Sequence, residues 1–401
     1  MSARISVAAA LAALVVLATP ALASDEGYIY GRVLTSSGES YEGEIRWGTE
    51  ESFWDDLFNA DKASNDNLDY VSRHDLSHVR ARHWGGNLFG IGDTDLTHVL
   101  AVRFGDLKRI EVRGSERAIA EFRNGEEMEL HGGSNDIGAR ITVIDARRGK
   151  QDIRWSRIRS IEFKDTPSRL EDKLGEPLYG TVRAGRYDYT GRIQWDSDEC
   201  LSIDTLDGDT PDGRAHVPFG DIASIRKYRA GSLVRLKSGE EVYLTGTNDV
   251  NHENRGVVVI VGGMGSAKIG WNDFDSVTFQ RAPDSGPSYA DFGKGRHLAG
   301  RVQARDGRHD GRIIFDLDEA CDFELLQGNN GATEFLIPFR DIASIRPDGP
   351  GGATVDLRMG MSVQLDDSHD VTRKNDGLLV FENDRDPTYI EWRDVREVVF
   401  H

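Results

Sequence analysis

The sequence predicts an all-β fold, and three observations lead to this prediction. Apolar and polar residues alternate in short runs, with the period of two that half-buried strands show. Glycines and polar pairs separate these runs, as in "KSGEE", and favour tight hairpin turns. The same series of hairpins also recurs along the 401-residue chain. The alternating positions of one hairpin are Val182, Tyr187, Tyr189, Ile193 and Trp195.

Three copies of one pattern follow each other. Each copy has a glycine-punctuated hairpin, a middle element such as "VPFGDIASI", a second hairpin and a closing segment such as "WNDFDSVTF". Gly180 and Gly300 hold the same place in two copies and are 120 residues apart. Such a period predicts tandem modules. They are module 1 (24–165), module 2 (166–280) and module 3 (281–401).

Each module contains two similar halves, because hairpin, loop and aromatic segment occur in both. An aromatic residue followed by apolar residues three and six positions later predicts a strand, one tight turn and a second strand. We therefore expect six consecutive units of about 45 to 50 residues, two in each module. A single larger sandwich in each module remains an alternative.

The aromatic segments resemble the last two strands of SH3-like barrels, and the second hairpins resemble the first signature of Sm-like proteins. In module 2 the hairpin is followed by Asp249 and Asn254, and in module 3 by Asp370 and Asn375. Module 1 has Asp136 without the Asn. The resemblance implies small β-barrels, with these acids in a loop that contacts RNA in Sm-like proteins. The RNA-binding function is not carried over, because the second Sm signature is replaced by Trp segments.

The first 23 residues predict a signal peptide. Arg4 precedes an apolar run over 5–16, and small residues stand at Ala21 and Ala23. No later stretch approaches the roughly 20 apolar residues that a membrane helix needs. We therefore expect an exported protein of the periplasm, cell envelope or extracellular space, without a transmembrane segment in the mature chain. An uncleaved membrane anchor is the alternative.

The charge balance bears on possible partners. The chain has 49 Lys and Arg against 68 Asp and Glu, for a net charge of −19. Such a surface repels phosphate backbones, so nucleic acid is not expected as a partner, and a protein or glycan is. The two cysteines, Cys200 and Cys321, hold nearly matching places in two modules. We expect two buried thiols, with a disulfide as the alternative.

Module 1 contains about 33 additional residues, which the sequence places as an insert near 50–98. Long loops in compact folds often carry function. The insert's aromatic residues form either a hydrophobic core or a patch that binds a partner. These candidate partner-binding residues are Phe53, Trp54, Phe58, Trp84 and Phe89.

The insert also carries candidate metal ligands. If "RHDLSHV" is helical, His74 and His78 lie one turn apart on one face, and His83 or Asp75 could join them. No Glu stands between them as in a metalloprotease, and solvent-facing His residues explain the pattern without a metal. Acidic clusters after Trp195 and Phe315 raise a separate possibility of calcium, although the glycine and distal Glu of an EF-hand are missing.

Catalytic motifs are missing from the sequence. It contains no nucleophile elbow, no zinc-protease motif and no phosphate-binding loop, and we expect no cofactor. The sequence therefore favours a non-catalytic binding or scaffolding protein, with enzymatic activity left open. The alternatives are a metal-dependent hydrolase that uses the His-rich insert and a calcium-stabilised envelope protein. The three loop acids are further candidate site residues.

Overall fold

The computed structural model describes residues 24–84, 99–132, 136–383 and 385–401. Within these ranges the regular backbone is mostly strand, with one α-helix, α1 (Arg73–Trp84), and several short 3₁₀ helices. The all-β prediction is therefore confirmed. The predicted signal peptide, 1–23, lies outside the described residues.

The strands fall into three sets of ten among the described residues. The first is β1 Tyr30–Thr35, β2 Ser40–Trp47, β3 Leu57–Lys62, β4 Val99–Arg103, β5 Leu107–Val112, β6 Arg117–Phe122, β7 Glu127–His131, β8 Ile141–Asp145, β9 Gly149–Ile153 and β10 Ile158–Phe163. The second is β11 Tyr179–Ala184, β12 Tyr187–Gln194, β13 Thr205–Thr210, β14 Gly213–Pro218, β15 Ile222–Tyr228, β16 Gly231–Leu236, β17 Glu241–Leu244, β18 Val257–Val261, β19 Gly265–Ile269 and β20 Phe274–Phe279. The third is β21 Ala299–Ala304, β22 Arg308–Ile314, β23 Leu325–Asn330, β24 Thr333–Pro338, β25 Ile342–Pro347, β26 Gly352–Leu357, β27 Ser362–Asp366, β28 Leu378–Phe381, β29 Thr388–Ile390 and β30 Val395–Phe400. The 3₁₀ helices are Asp66–Tyr70, Phe104–Asp106, Trp155–Arg157, Phe219–Asp221, Asn248–Val250, Tyr289–Phe292, Phe339–Asp341 and Trp392–Asp394.

One pairing order recurs in all three sets. In module 1 the strands are hydrogen-bonded in the order β4-β3-β7-β6-β5-β10-β1-β2-β8-β9. The equivalent strands of modules 2 and 3 pair in the same order, except that β13 and β14 form a separate two-stranded sheet. A single bridge joins Asp209 of that small sheet to Thr245, the residue that follows β17. The hairpins predicted from alternation are therefore present.

The two halves of each sheet do not come from consecutive halves of the module. In module 1, β3 to β7 are contiguous in the chain and form one half, β4-β3-β7-β6-β5. The other half, β10-β1-β2-β8-β9, combines the first two strands with the last three. The pairing of Ile110 in β5 with Ile161 in β10 joins them. The expectation of consecutive units was therefore wrong, because each first hairpin pairs with strands of the other repeat.

The sheets are open in the part of the chain that the structure describes. In module 1, β4 and β9 are the two ends of the order and do not pair with each other. The closed barrels expected from the resemblance are therefore not observed. Modules 2 and 3 share one sheet of 18 strands, because β19 pairs with β24. Their separation into independent domains remains a prediction.

The repeated Trp segment packs in the core of each module. Trp155 lies edge-on to Trp47, with ring centroids 5.9 Å apart, and Trp271 lies 6.3 Å from Trp195 in the same manner. In module 3 the equivalent pair is Trp392 and Phe315, at 5.6 Å. A tight turn follows each Trp and leads directly into the last strand of the module, as the spacing predicted.

Each module's second strand carries a glycine that the sheet leaves no room to replace. A Cβ atom at Gly191 would lie 1.9 Å from the backbone oxygen of Ile260 in the paired strand β18. The equivalent Gly43 and Gly311 face backbone oxygens at 1.8 and 2.1 Å. These distances are far below van der Waals contact, so the recurring glycine permits close approach of two strands.

The insert begins later in the chain than the sequence suggested. Residues 57–62 form β3, a regular sheet strand, so the additional residues are 63–98, which follow β3 and precede β4 in the chain. Modules 2 and 3 have a tight turn at this place. Val71 and Val79 pack against the module 3 residues Ile314, Leu379 and Phe381. The described part of the insert thus forms an apolar contact between module 1 and module 3.

Candidate functional site

The predicted partner-binding aromatics that the structure describes are core residues. Phe53, Trp54 and Phe58 are each 0% exposed. Trp54 packs 4.5 Å from the ring of Tyr289, which belongs to module 3. The partner-surface hypothesis for these three residues is therefore corrected to the core-packing alternative, because fully buried rings offer no surface to another protein.

The side chains of two further aromatic candidates lie outside the part of the chain that the structure describes. Trp84 ends α1, but its side chain is outside the described part of the chain, and Phe89 lies outside the described residues altogether. The same holds for the side chains of His78 and His83, whose backbone belongs to α1. His74 is exposed near the start of this helix. The helical context that the metal hypothesis required is present, and the metal site itself stays a prediction.

The three loop acids hold the fold together. The Asp136 carboxylate accepts a hydrogen bond from the Asn59 backbone amide, and Asp249 accepts one from Asp207 at 2.8 Å. Asp370 accepts the equivalent bond from Gln327 at 2.7 Å. All three are buried. Burial raises the pKa of Asp136 and of Asp370 to about 7. These contacts give the acids a structural role in the observed fold.

The Asn residues of the Sm-like pattern have a matching role. Asn375 donates to the backbone oxygen of Asp370 at 2.8 Å and accepts from the Gly377 amide at 2.8 Å. Asn254 makes the same two contacts in module 2. The pattern therefore closes a loop after the second hairpin, and these contacts explain it without any RNA contact.

The acidic clusters after Trp195 and Phe315 are engaged with neighbouring groups. Arg255 contacts the carboxylates of Asp196 at 3.3 Å and Asp198 at 3.1 Å. In module 3, His369 contacts Asp316 at 2.7 Å. Arg255 and His369 thus account for these contacts of the acidic clusters without a metal ion. The calcium alternative remains a prediction.

Both cysteines are free and buried, so the expectation of two buried thiols is confirmed. Cys200 lies 3.6 Å from the Ser52 hydroxyl, at the contact between modules 1 and 2. Cys321 lies at the contact between modules 1 and 3, where its thiol donates to Glu126. Burial raises the pKa of both thiols, which disfavours the nucleophilic thiolate.

An open cavity of about 1010 Å³ lies between module 2 and the segments that flank it. Phe219 and Phe279 are among its lining residues. Lys173 in its wall forms ion pairs with Asp25 and Glu176, both at 2.9 Å. The charges of these three residues are therefore paired with one another in the cavity wall.

The strand edge formed by β19 is the clearest example of binding within the chain. β24 of module 3 adds to this edge in antiparallel register, with Ser266 opposite Leu336 and Lys268 opposite Glu334. The added strand belongs to a hairpin whose other strand is β23. The edge of a module thus accepts an extended strand from outside that module, which is strand addition.

Module 1 has the same edge without the added strand. β8 and β9 pair from Ile141 opposite Ile153 to Asp145 opposite Gly149, a register equivalent to that of β18 and β19. In the described residues β9 has only β8 as a neighbour. Most of β9 is exposed. The side of β9 that faces away from β8 has no strand partner among the described residues, so another strand can add there.

The β8–β9 turn is locally basic on an acidic chain. Arg147, Arg148 and Lys150 stand together at this turn, and all three are exposed. Arg148 lies over the Tyr41 ring at 4.8 Å and 3.8 Å from the Glu39 carboxylate. A segment with acidic residues would be attracted to this turn. Sequence analysis missed this edge, because pairing partners are not visible in a single strand's pattern.

Comparisons with protein-family models, with curated proteins and with solved structures found no match. The described helix is too short and too polar to cross a membrane.

Proposed function

We propose that this chain is an exported, non-catalytic binding protein of the periplasm or cell envelope that holds an extended segment of a partner protein at the edge of β9. One observation carries the proposal. The equivalent edge, β19, is occupied by β24 within the same chain. An edge that has the same register and lacks the added strand is suited to take that strand from a partner.

The backbone supplies the affinity in such a complex, and side chains supply the specificity. By analogy with β19, a bound strand would lie opposite Lys150 and Asp152, which hold the places of Ser266 and Lys268. Opposite charges across paired strands are favourable. A partner strand with an acid opposite Lys150 and a base opposite Asp152 is therefore preferred.

We also infer that each half-sheet is a five-stranded unit of the SH3-like or Sm-like kind. The single tight turn between β9 and β10, with the 3₁₀ helix Trp155–Arg157, supports this inference. Such units often serve as binding modules, so repetition of them suits a scaffold. The metal-dependent hydrolase and the calcium-stabilised protein remain the alternative proposals.

A designed peptide tests the proposal directly. The probe is the chain's own segment 331–338 carrying E334K and L336E, which places a base opposite Asp152 and an acid opposite Lys150. Fluorescence anisotropy of the labelled peptide is expected to show saturable binding to the full chain. The unsubstituted peptide should bind more weakly, because it places Glu334 opposite Asp152.

Proline substitutions in β9 provide the control. Along a strand, successive backbone amides point alternately to one neighbouring strand and to the other. One of the two variants Lys150→Pro and Gln151→Pro therefore removes an amide donor on the side of β9 that faces away from β8, and leaves the pairing with β8 intact. That folded variant should lose peptide binding. Equal peptide binding by this variant and by the wild-type chain would contradict the proposal. Failure of both peptides to bind the wild-type chain would also contradict it.

A further inference from the structure

A cluster of three potential metal ligands lies where module 1 meets module 3. The Cys321 thiol lies 3.1 Å from the Glu126 carboxylate and 3.8 Å from Nδ1 of His297. The second nitrogen of His297 lies 3.3 Å from the same carboxylate group. One ligand atom from each residue falls within 4.8 Å of the others. Glu126 belongs to module 1, and the other two residues belong to module 3.

Comparison of the three modules shows that the ligands replace an apolar pair. A single bridge pairs His297 with Cys321, and the equivalent bridges pair Tyr28 with Phe53 and Pro177 with Leu201. In module 1 the two rings pack 4.8 Å apart. The fold therefore needs only apolar contact at this place. Module 3 alone has the Cys and His, and its neighbour supplies the Glu.

We propose that Glu126, His297 and Cys321 bind a zinc-class divalent ion that bridges modules 1 and 3. Thiolate and imidazole ligands select such ions over calcium and magnesium, which prefer oxygen. A tetrahedral ion with bonds of about 2.0–2.3 Å holds its ligand atoms roughly 3.3–3.8 Å apart. The observed separations of 3.1 and 3.8 Å lie close to this range.

The surroundings permit entry and leave one coordination position open. The side chains of His297 and Glu126 are 51% and 43% exposed, whereas Cys321 is buried. An ion can therefore enter from solvent and meet the thiol from one side. Three ligands from the chain leave a fourth position for water. Because the ion displaces the thiol proton, its affinity should rise with pH.

Cobalt titration of the purified full chain tests this site. One equivalent of Co²⁺ should produce a thiolate-to-cobalt charge-transfer band, and Zn²⁺ should abolish the band by displacement. Cys321→Ser should remove the band. His297→Gln and Glu126→Gln should each weaken binding by about tenfold or more. The matched control is Cys200→Ser, which removes the other buried thiol and should retain the band.

Two further variants make the result decisive. The double variant His297→Pro with Cys321→Leu recreates the apolar pair of module 2, so it should fold and bind no cobalt. His74→Ala should bind cobalt as the wild-type chain does. The proposal is overturned if the wild-type chain gives no charge-transfer band, or if the band survives Cys321→Ser. Loss of the band in His74→Ala would likewise overturn it, in favour of the insert.

Discussion

The Arg46 guanidinium of module 1 holds the Asp204 carboxylate of module 2 through two hydrogen bonds of 2.8 Å. The same carboxylate accepts the backbone amides of Cys200 and Leu201. Asp204 thus closes a turn of its own module and fixes the neighbouring one. A contact in the opposite direction also exists, because Arg192 of module 2 lies 2.8 Å from the carboxylate of Asp56, the residue of module 1 that is equivalent to Asp204.

Removing Arg46 should destabilise the chain. Arg46→Met leaves the Asp204 carboxylate, whose side chain is only 12% exposed, without its counter-charge. We expect the free energy of unfolding in urea to fall by about 2–3 kcal/mol. Arg32→Met breaks an exposed pair with Glu42 and should cost less than about 1 kcal/mol. Equal effects of the two substitutions would contradict the role given to Arg46.

Adding one methyl group at Gly191 should disrupt the sheet. The Cβ atom would overlap the Ile260 backbone oxygen, so Gly191→Ala is expected to cost roughly 2 kcal/mol or more of unfolding free energy. Gly262 lies in a turn with open space around it and without a positive φ. Gly262→Ala should therefore leave the melting temperature nearly unchanged. A stable Gly191→Ala chain would show that the strand approach is looser than described.

Stability should fall as the pH rises from about 4.5 to about 9. Burial, with the neighbouring Asp249 and Asp198, raises the pKa of Glu199 to about 9, and burial raises that of Glu44 to about 7. The folded chain therefore binds these protons more tightly than the unfolded chain, so deprotonation favours unfolding. The melting temperature at pH 5.5 should exceed that at pH 8.5.

A neutral replacement separates this effect from others. Glu199→Gln cannot ionise, so the decline in melting temperature between pH 5.5 and pH 8.5 should become smaller than in the wild-type chain. Asp356 is a suitable comparison, because hydrogen bonds from Arg346 and Ser362 lower its pKa to about 2. Its stabilising contribution is lost only below the ordinary Asp range. Asp356→Asn should therefore leave the slope of the profile in this window unchanged.

Shortening the insert should uncover part of module 3. Replacing 63–97 with the turn 211–212 of module 2 preserves β3 and β4 but removes Val71 and Val79 from their contact with Phe381. We expect a folded chain with increased binding of a hydrophobic dye and a lower melting temperature. Removing the whole of 50–98 should instead unfold module 1, because it deletes three core aromatics. Unchanged dye binding in the shorter replacement would argue against this apolar contact.

Much of the local structure could be predicted from the sequence. Alternation and glycine spacing predicted the hairpins, and the Trp segments were correctly expected to lead into a strand. The interleaved pairing could not be predicted, because the hairpins that begin the two halves of a module have similar alternating patterns. Either hairpin could pair with the remaining strands of the module. Only long-range packing selects between them.

The candidate site was harder to predict, for a related reason. Alignment of Asp56 with Asp204 and Glu324, which close equivalent turns, would have placed Phe53 and Trp54 in the repeat rather than in an insert. The Cys321 cluster gives no local signal, because Glu126 comes from another module. Sites assembled from distant segments become visible only when the modules are packed together.

The interleaved chain path constrains the order in which strands can pair during folding. β1 pairs with β10, with Val33 opposite Ile161, so the first sheet can be completed only after β10 is available. Pairing between such distant residues is slow, because the entropy cost of closing a long loop arises before the stabilising contacts form. A chain emerging N-terminus first would therefore expose its opening hairpin until almost the whole module had appeared. Molecular chaperones would have their longest opportunity to bind at this first hairpin.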